Sequence, residues 1–164
     1  MSMIIRFADL SFLDEITEIE STCFPEEQAA KKEQFSERLK IFAGHFLLLC
    51  DESGKAAAFI NGAVTDLPDL TDEMYQRSEL HDENGAWQMI FGLCTAPRYR
   101  HRGFAHVLMN EFLRLAKEQG RKGAVLTCKA ELVGFYEQFG FVNEGISASS
   151  VIGGVQWFQM RKNF

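Results

Sequence analysis

The segment Leu93-Cys94-Thr95-Ala96-Pro97-Arg98-Tyr99-Arg100-His101-Arg102-Gly103-Phe104-Ala105 leads from an apolar run, through three arginines, into small residues at a helix start. Phe104, Leu108, Phe112 and Leu115 then recur at helical spacing. The first peptide N–H groups of a helix have no internal partner and lie at its positive end. Gly103 and Ala105 would let a pyrophosphate approach that backbone closely, and Arg98, Arg100 and Arg102 add local positive charge. Two readings stand side by side: a diphosphate cradle, or a strand-to-helix turn whose arginines are solvated. The run lacks the Gly-Lys-Ser/Thr of a Walker loop and the three glycines of a dinucleotide fingerprint.

Other reactive side chains do not assemble by spacing. Cys23, Cys50, Cys94 and Cys128 are widely separated, with no Cys-x-x-Cys pair and no histidine at ligand spacing. Three of them sit inside apolar runs, as reduced core thiols do. Neither a metal site nor a disulfide framework is expected.

The turn needs a strand before it and a helix after it, and the pattern supplies both. Ala86 to Thr95 is predicted as a strand stopped by Pro97, and Gly103 to Gln119 as an amphipathic helix closed by Gly120. Upstream, Ile4 to Phe7 is a strand and Asp9 or Ser11 caps a helix carrying Phe12, Ile16 and Ile19. Pro25 breaks the chain, and Gln28 to Ile41 is a second helix striped by Phe35, Leu39 and Phe42. His45–Cys50 and Ala56–Val64 flank a Gly-bearing turn as a hairpin. Thr65 to Gly85 is a polar, acidic insertion with one short helix around Glu73 to Arg77. Downstream follow a strand at Ala124–Cys128, a short helix at Glu131–Phe139, and paired strands at Phe141–Ile146 and Val155–Met160. That order implies a mixed sheet with helices on both faces.

The 164 residues carry no repeat or linker, so residues 1–164 are expected to form a single domain. A net charge of -6 opposes non-specific contact with nucleic acid and suits a cationic partner. No apolar stretch reaches the length of a signal peptide or membrane span, so a cytoplasmic protein without membrane partners is expected.

Arg100-His101-Arg102-Gly103-Phe104-Ala105 resembles the Arg/Gln-x-x-Gly-x-Gly/Ala motif of the GNAT superfamily of N-acetyltransferases. Leu132-Val133-Gly134-Phe135-Tyr136-Glu137-Gln138-Phe139-Gly140-Phe141 is similar to its second signature, a Phe-Tyr-x-x-Phe-Gly-Phe block. Ala57-Ala58-Phe59-Ile60-Asn61-Gly62, Leu126-Thr127-Cys128 and the insertion before Ala86 resemble the arylalkylamine (serotonin) branch. The resemblance implies an α/β (α+β) fold with a mixed, mostly antiparallel sheet of about seven strands. It implies acetyl-CoA as cosubstrate and no metal, with the backbone of Leu93, Cys94 and Thr95 pairing with the pantetheine arm. The amides of His101, Arg102, Gly103, Phe104, Ala105 and His106 would hold the pyrophosphate, with Arg100 beside them. Tyr136 would lie at the thioester and protonate the leaving thiolate, a transfer suited to a phenol of pKa ~10 and a thiol of ~8–9.

One feature departs from that branch. Two histidines associated there with proton removal from the amine align with Met89 and Phe91, which accept no proton. His45, His81, Asp82, Glu83, Glu20, Glu26 and Glu27 are substitute bases to weigh, while Phe24, Pro25, Phe35, Met89 and Phe91 offer either an apolar acceptor wall or plain core packing. The reading that follows is direct N-acetylation of a primary amine of a small molecule by a monomer or homodimer. A weakened, CoA-binding regulatory module and a protein or peptide acetyltransferase are its rivals.

Overall fold

The computed structural model describes residues 2–164. In chain order the first half holds β1 (Ile4–Phe7), α1 (Leu13–Cys23), α2 (Lys32–Phe42), β2 (Phe46–Cys50), β3 (Ala56–Asn61), β4 (Val64–Thr65) and α3 (Asp72–Gln76). The second half holds β5 (Trp87–Ile90), β6 (Gly92–Thr95), α4 (Phe104–Glu118), β7 (Gly123–Cys128), α5 (Val133–Glu137), β8 (Val142–Ile146) and β9 (Phe158–Asn163). One sheet orders its strands β1-β2-β3-β6 and the other β4-β5-β7-β9-β8. Only the β5–β7 ladder is parallel among the described residues.

β2 shows why the sheet lies in the middle. Phe-Leu-Leu-Leu-Cys is buried at every position, which a strand covered on both faces requires. Phe46, Leu48 and Cys50 pack with Ile16 and Ile19 of α1 and Phe35 and Leu39 of α2. Leu47 and Leu49 point the other way, onto Leu108, Met109 and Phe112 of α4. The mixed sheet with helices on both faces is as the sequence pattern implies, and its mostly antiparallel pairing is as the resemblance implies. Among the described residues it has nine strands instead of about seven.

Several boundaries differ from the expectation, each for a visible reason. The strand expected over Ala86–Thr95 is two: β5 pairs with β7, β6 pairs with β3, and Phe91 between them donates its N–H to Asn61 C=O at 2.7 Å. Ala56–Val64 divides likewise at Gly62, where the two sheets cross. A Cβ there would stand 1.8 Å from the Met89 carbonyl oxygen, so only glycine fits. α2 begins at Lys32 because the Gln28 and Ala29 amides turn back to Pro25 C=O, while the Gln34 side chain accepts the Lys31 N–H at 2.7 Å. The helix expected over Glu131–Phe139 opens with a 3-10 turn at Ala130–Leu132, leaving α5 only Val133–Glu137. The last strand is Phe158–Asn163, beyond the apolar run. Arg161 fits it by lying over the Trp87 ring at 4.6 Å and pairing with Asp69 and Glu144.

Among the described residues, no helix is long and apolar enough to cross a membrane.

Candidate active site

β5 and β7 stay paired only as far as Ile90 opposite Leu126, after which β6 turns toward β3 while β7 runs on to Cys128. No ladder joins β6 to β7 among the described residues, so a slot with unpaired backbone opens between them. A cavity of about 810 Å³ occupies this region, within the range of small-molecule sites.

At the far end of β6 the chain makes a 3-10 turn at Pro97–Tyr99 and enters α4 through Gly103, at φ 79°. The first backbone bond into α4 is Val107 N–H to Gly103 C=O at 3.2 Å. Among the described residues, the amides of Phe104, Ala105 and His106 therefore have no backbone partner, and a Cβ at Gly103 would meet nothing within 4 Å. Tyr99 anchors this mouth by donating its hydroxyl to Asp51 at 2.8 Å. Arg98 and Arg102 flank the Tyr99 ring at 4.9 and 5.8 Å. Arg100 is spent differently: its guanidinium donates to Thr95 C=O at 3.1 Å and Thr22 C=O at 3.3 Å, tying β6 to the end of α1. His101 holds the turn in a left-handed conformation at φ 64°, and the His106 ring rests on Phe135 and Phe139.

Tyr136 reaches the cavity from α5. Its ring packs edge-on against Phe135 and Phe141, and only 9% of the residue is exposed. Its hydroxyl has no hydrogen-bond partner among the described residues, and burial pushes the phenol well above its usual range. Leu93 lines the same cavity, as do Phe24 and Phe91 of the expected acceptor wall. Pro25 and Met89 do not: Pro25 is exposed at a turn, and Met89 is buried with Leu70, Met74 and Val125. The Cys94 side chain points to the α1 side, where its thiol donates to Glu20 Oε1 at 3.2 Å.

Of the substitute bases, Glu20, Glu26 and Glu27 line the cavity. His45, His81 and Glu83 instead form their own cluster outside it. Three of their donor atoms lie within 4.8 Å of one another. His81 Nδ1 accepts the Val64 N–H at 2.9 Å, which leaves the proton on Nε2, facing Glu83 at 2.9 Å. His45 reaches the same carboxylate at 3.0 Å and Arg121 at 3.1 Å. This cluster pins the insertion to the core, with Phe42 touching both His81 and Phe91.

Several residues of the site carry no motif in the sequence. Arg38, only 2% exposed, donates to Asn61 Oδ1 at 3.1 Å and to Tyr75 C=O at 3.0 Å. The Tyr75 hydroxyl meets Thr127 at 3.2 Å, and its ring stacks 4.7 Å from Phe91. Gln28 Oε1, Arg38 Nε, Asp72 Oδ1 and Ser150 Oγ are buried without a partner among the described residues, and all four residues line the cavity. Such atoms call for water or a polar ligand group. Cys23 also lines it, with Arg100 Nη2 donating to its sulfur at 3.5 Å.

The sequence pattern of the acetyltransferase (GNAT) family matches residues 13–141. Serotonin N-acetyltransferase of Mesocricetus auratus is 35% identical over 115 residues, which is 65% of this chain and 54% of that protein. The Homo sapiens serotonin N-acetyltransferase is 31% identical over the same length and shares. The chain thus spans about half the length of the curated relatives it matches. Among solved structures, the loading GNATL domain of CurA from Lyngbya majuscula superposes with a TM-score of 0.86 at 15% identity, covering 99% of this chain and 98% of that one. A GphF GNAT-like decarboxylase in complex with isobutyryl-CoA gives 0.84 at 19%, covering 98% of each chain. At such identities the likeness is one of fold.

Proposed function

The chain belongs to the acetyltransferase (GNAT) family, and from that premise we propose that it transfers an acetyl group from acetyl-CoA to a primary amine of a small molecule. The transfer is direct, with Tyr136 as general acid. The observation that carries this reading is the unpartnered Tyr136 hydroxyl in a cavity that opens where β6 and β7 part.

The residues present fit the cosubstrate. Free amides at Phe104, Ala105 and His106, with open space over Gly103, suit a pyrophosphate at the positive end of a 15-residue helix. The unpaired edge of Leu93–Thr95 suits the amide groups of a pantetheine arm, which would add to the sheet as a strand does. Bound there, acetyl-CoA supplies an activated acyl thioester. Tyr136 then has a proton to give to the departing sulfur, and burial keeps that proton in place until transfer.

The acceptor side supports an amine attached to an apolar or aromatic body. Phe24, Tyr75, Phe91 and Trp157 supply aromatic walls, and the acids Glu20, Glu26, Glu27 and Asp72 favour a cation. The similarity to serotonin N-acetyltransferases points the same way.

The test is a panel of arylalkylamines, polyamines and peptides with free N-termini, each followed by thiol release from acetyl-CoA and by product mass. Acetylated small amines are the expected result. Binding of acetyl-CoA without acetylated product from any acceptor would sink the reading, and acetylation of the peptides alone would reassign the acceptor.

A further inference from the structure

Resting on this reading of the cavity as an amine acetylation site, one chemical need is still unmet. An alkylammonium must lose a proton before it can attack a carbonyl, and Met89 and Phe91 cannot take it. Met89 is moreover buried away from the cavity, among Leu70, Met74 and Val125.

At the start of β6, just where the two sheets part, Gly92 leaves a space that its lack of a side chain creates. A methyl group on Gly92 would stand 3.8 Å from Asn61 Nδ2 and 3.9 Å from Glu20 Oε1. The Asn61 amide is oriented by Arg38, whose Nη1 donates to its Oδ1, so Asn61 turns its N–H₂ toward that space. Asn61 thus offers a donor there and Glu20 an acceptor. Glu20 is 6% exposed, yet it lines the cavity and has no salt-bridge partner within 4.0 Å among the described residues. Its carboxylate is held in place by the Ala30 N–H on Oε2 at 2.9 Å and the Cys94 thiol on Oε1 at 3.2 Å.

We infer that Glu20 is the general base of the reaction, receiving the proton of the acceptor ammonium in a subsite over Gly92. One N–H proton passes to Glu20 and from there to solvent. The freed lone pair forms the C–N bond as the C–S bond breaks. A second nitrogen proton replaces the one that Tyr136 gives to the departing sulfur, so amide, free thiol and one released proton balance the acyl thioester and the ammonium.

The electrostatics fit a base. Burial raises the Glu20 carboxyl above its usual range, opposed by the Ala30 N–H, the Cys94 thiol and the Arg38 guanidinium. The other titratable groups near it are Cys23 on its own helix and Tyr75 on α3. Glu26 and Glu27 are exposed, and Asp72 already accepts the Val151 N–H at 2.7 Å.

Two variants test the assignment, measured in the full chain with acetyl-CoA and 2-phenylethylamine or whichever amine the panel shows to be acetylated. Glu20→Gln keeps the size of the side chain and an acceptor for Ala30. It should lower kcat/KM by ~10²-fold or more, the range of general-base catalysis. It should also abolish the acid limb of the pH profile, in which the parent gains rate as the carboxyl ionises, while acetyl-CoA affinity by calorimetry stays within twofold. Gly92→Ala places a methyl at ordinary contact distance, so the fold tolerates it. It should raise KM for the amine at least tenfold with acetyl-CoA affinity unchanged. If the parent acetylates the amine and Glu20→Gln retains both rate and acid limb, Glu20 is not the base and the acetylation reading survives. If the parent acetylates no amine, both readings fall.

Discussion

Replacing Tyr136 by phenylalanine separates chemistry from architecture unusually cleanly. The hydroxyl makes no hydrogen bond among the described residues, so its loss forfeits none of the ~1 kcal/mol that a protein hydrogen bond contributes. The ring keeps its contacts with Phe135 at 5.1 Å and Phe141 at 6.2 Å between centroids. Stability should therefore change by less than ~0.5 kcal/mol, as surface-like substitutions do. Loss of the general acid should lower the acyl-transfer rate by ~10²-fold or more, about 2.7 kcal/mol of barrier at 1.36 kcal/mol per tenfold. Because product release limits many such enzymes, the assay is a single turnover of enzyme-bound acetyl-CoA with excess amine, read as thiol release. Burial holds the phenol protonated well beyond its usual range, so the deficit should be the same at every pH from 6 to 9. A single-turnover rate within threefold of the parent would refute the acid assignment. A parallel loss of acetyl-CoA affinity would make Tyr136 a binding residue instead.

Three further outcomes follow from the geometry. The Cys23 thiol is pulled down to about 6, first by the neighbouring Cys94 thiol and then by Arg100, while burial raises Cys50, Cys94 and Cys128. Iodoacetamide at pH 7 should thus label Cys23 ahead of the other three, with a rate that climbs through about pH 6, as peptide mass spectrometry would report. Gly62→Ala forces a Cβ to 1.8 Å from Met89 O and should cost ~3 kcal/mol, the upper range for overpacking, read as a lower melting temperature. Burial depresses the His81 imidazole, so the unfolded chain binds more protons than the folded one below the ordinary histidine range. Stability should be full above pH ~6.5 and fall as pH drops below it, a slope that His81→Gln should flatten in thermal melts.

How much of this was legible beforehand differs from element to element. α4 and its glycine mouth stand out because an amphipathic stripe and a small-residue start are local signals. The division at Phe91 does not, since β5 and β6 follow one another with no turn residue pair between them and only their partners change. The acceptor side was the hardest part. Its polar residues come from α1, α2, β3 and α3, and no spacing along the chain links them. A faint signal existed all the same. Glu20 falls four residues after Ile16, and Arg38 lies between Phe35 and Phe42, so each places a charge on the apolar stripe of its helix. A buried charge on such a stripe needs a partner or a purpose. Pro25 and Met89, expected in the acceptor wall, lie outside the cavity lining, because apolar character alone does not distinguish a turn or a core from a pocket.

The parallel pairing of β5 with β7 has a consequence for how such a protein can change. A parallel neighbour demands a long crossover, and here α4 supplies it, so the helix must begin beyond the carboxyl end of β6. The donor half of the proposed site is thereby dictated by topology. The acceptor half is assembled from α1, α2, the 66–85 insertion and the loop before β9, none of which takes part in that crossover. On the proposed reading, transplanting or redrawing those segments would give new acceptors to an unchanged nucleotide grip, making this architecture a chassis whose two ends can be varied independently.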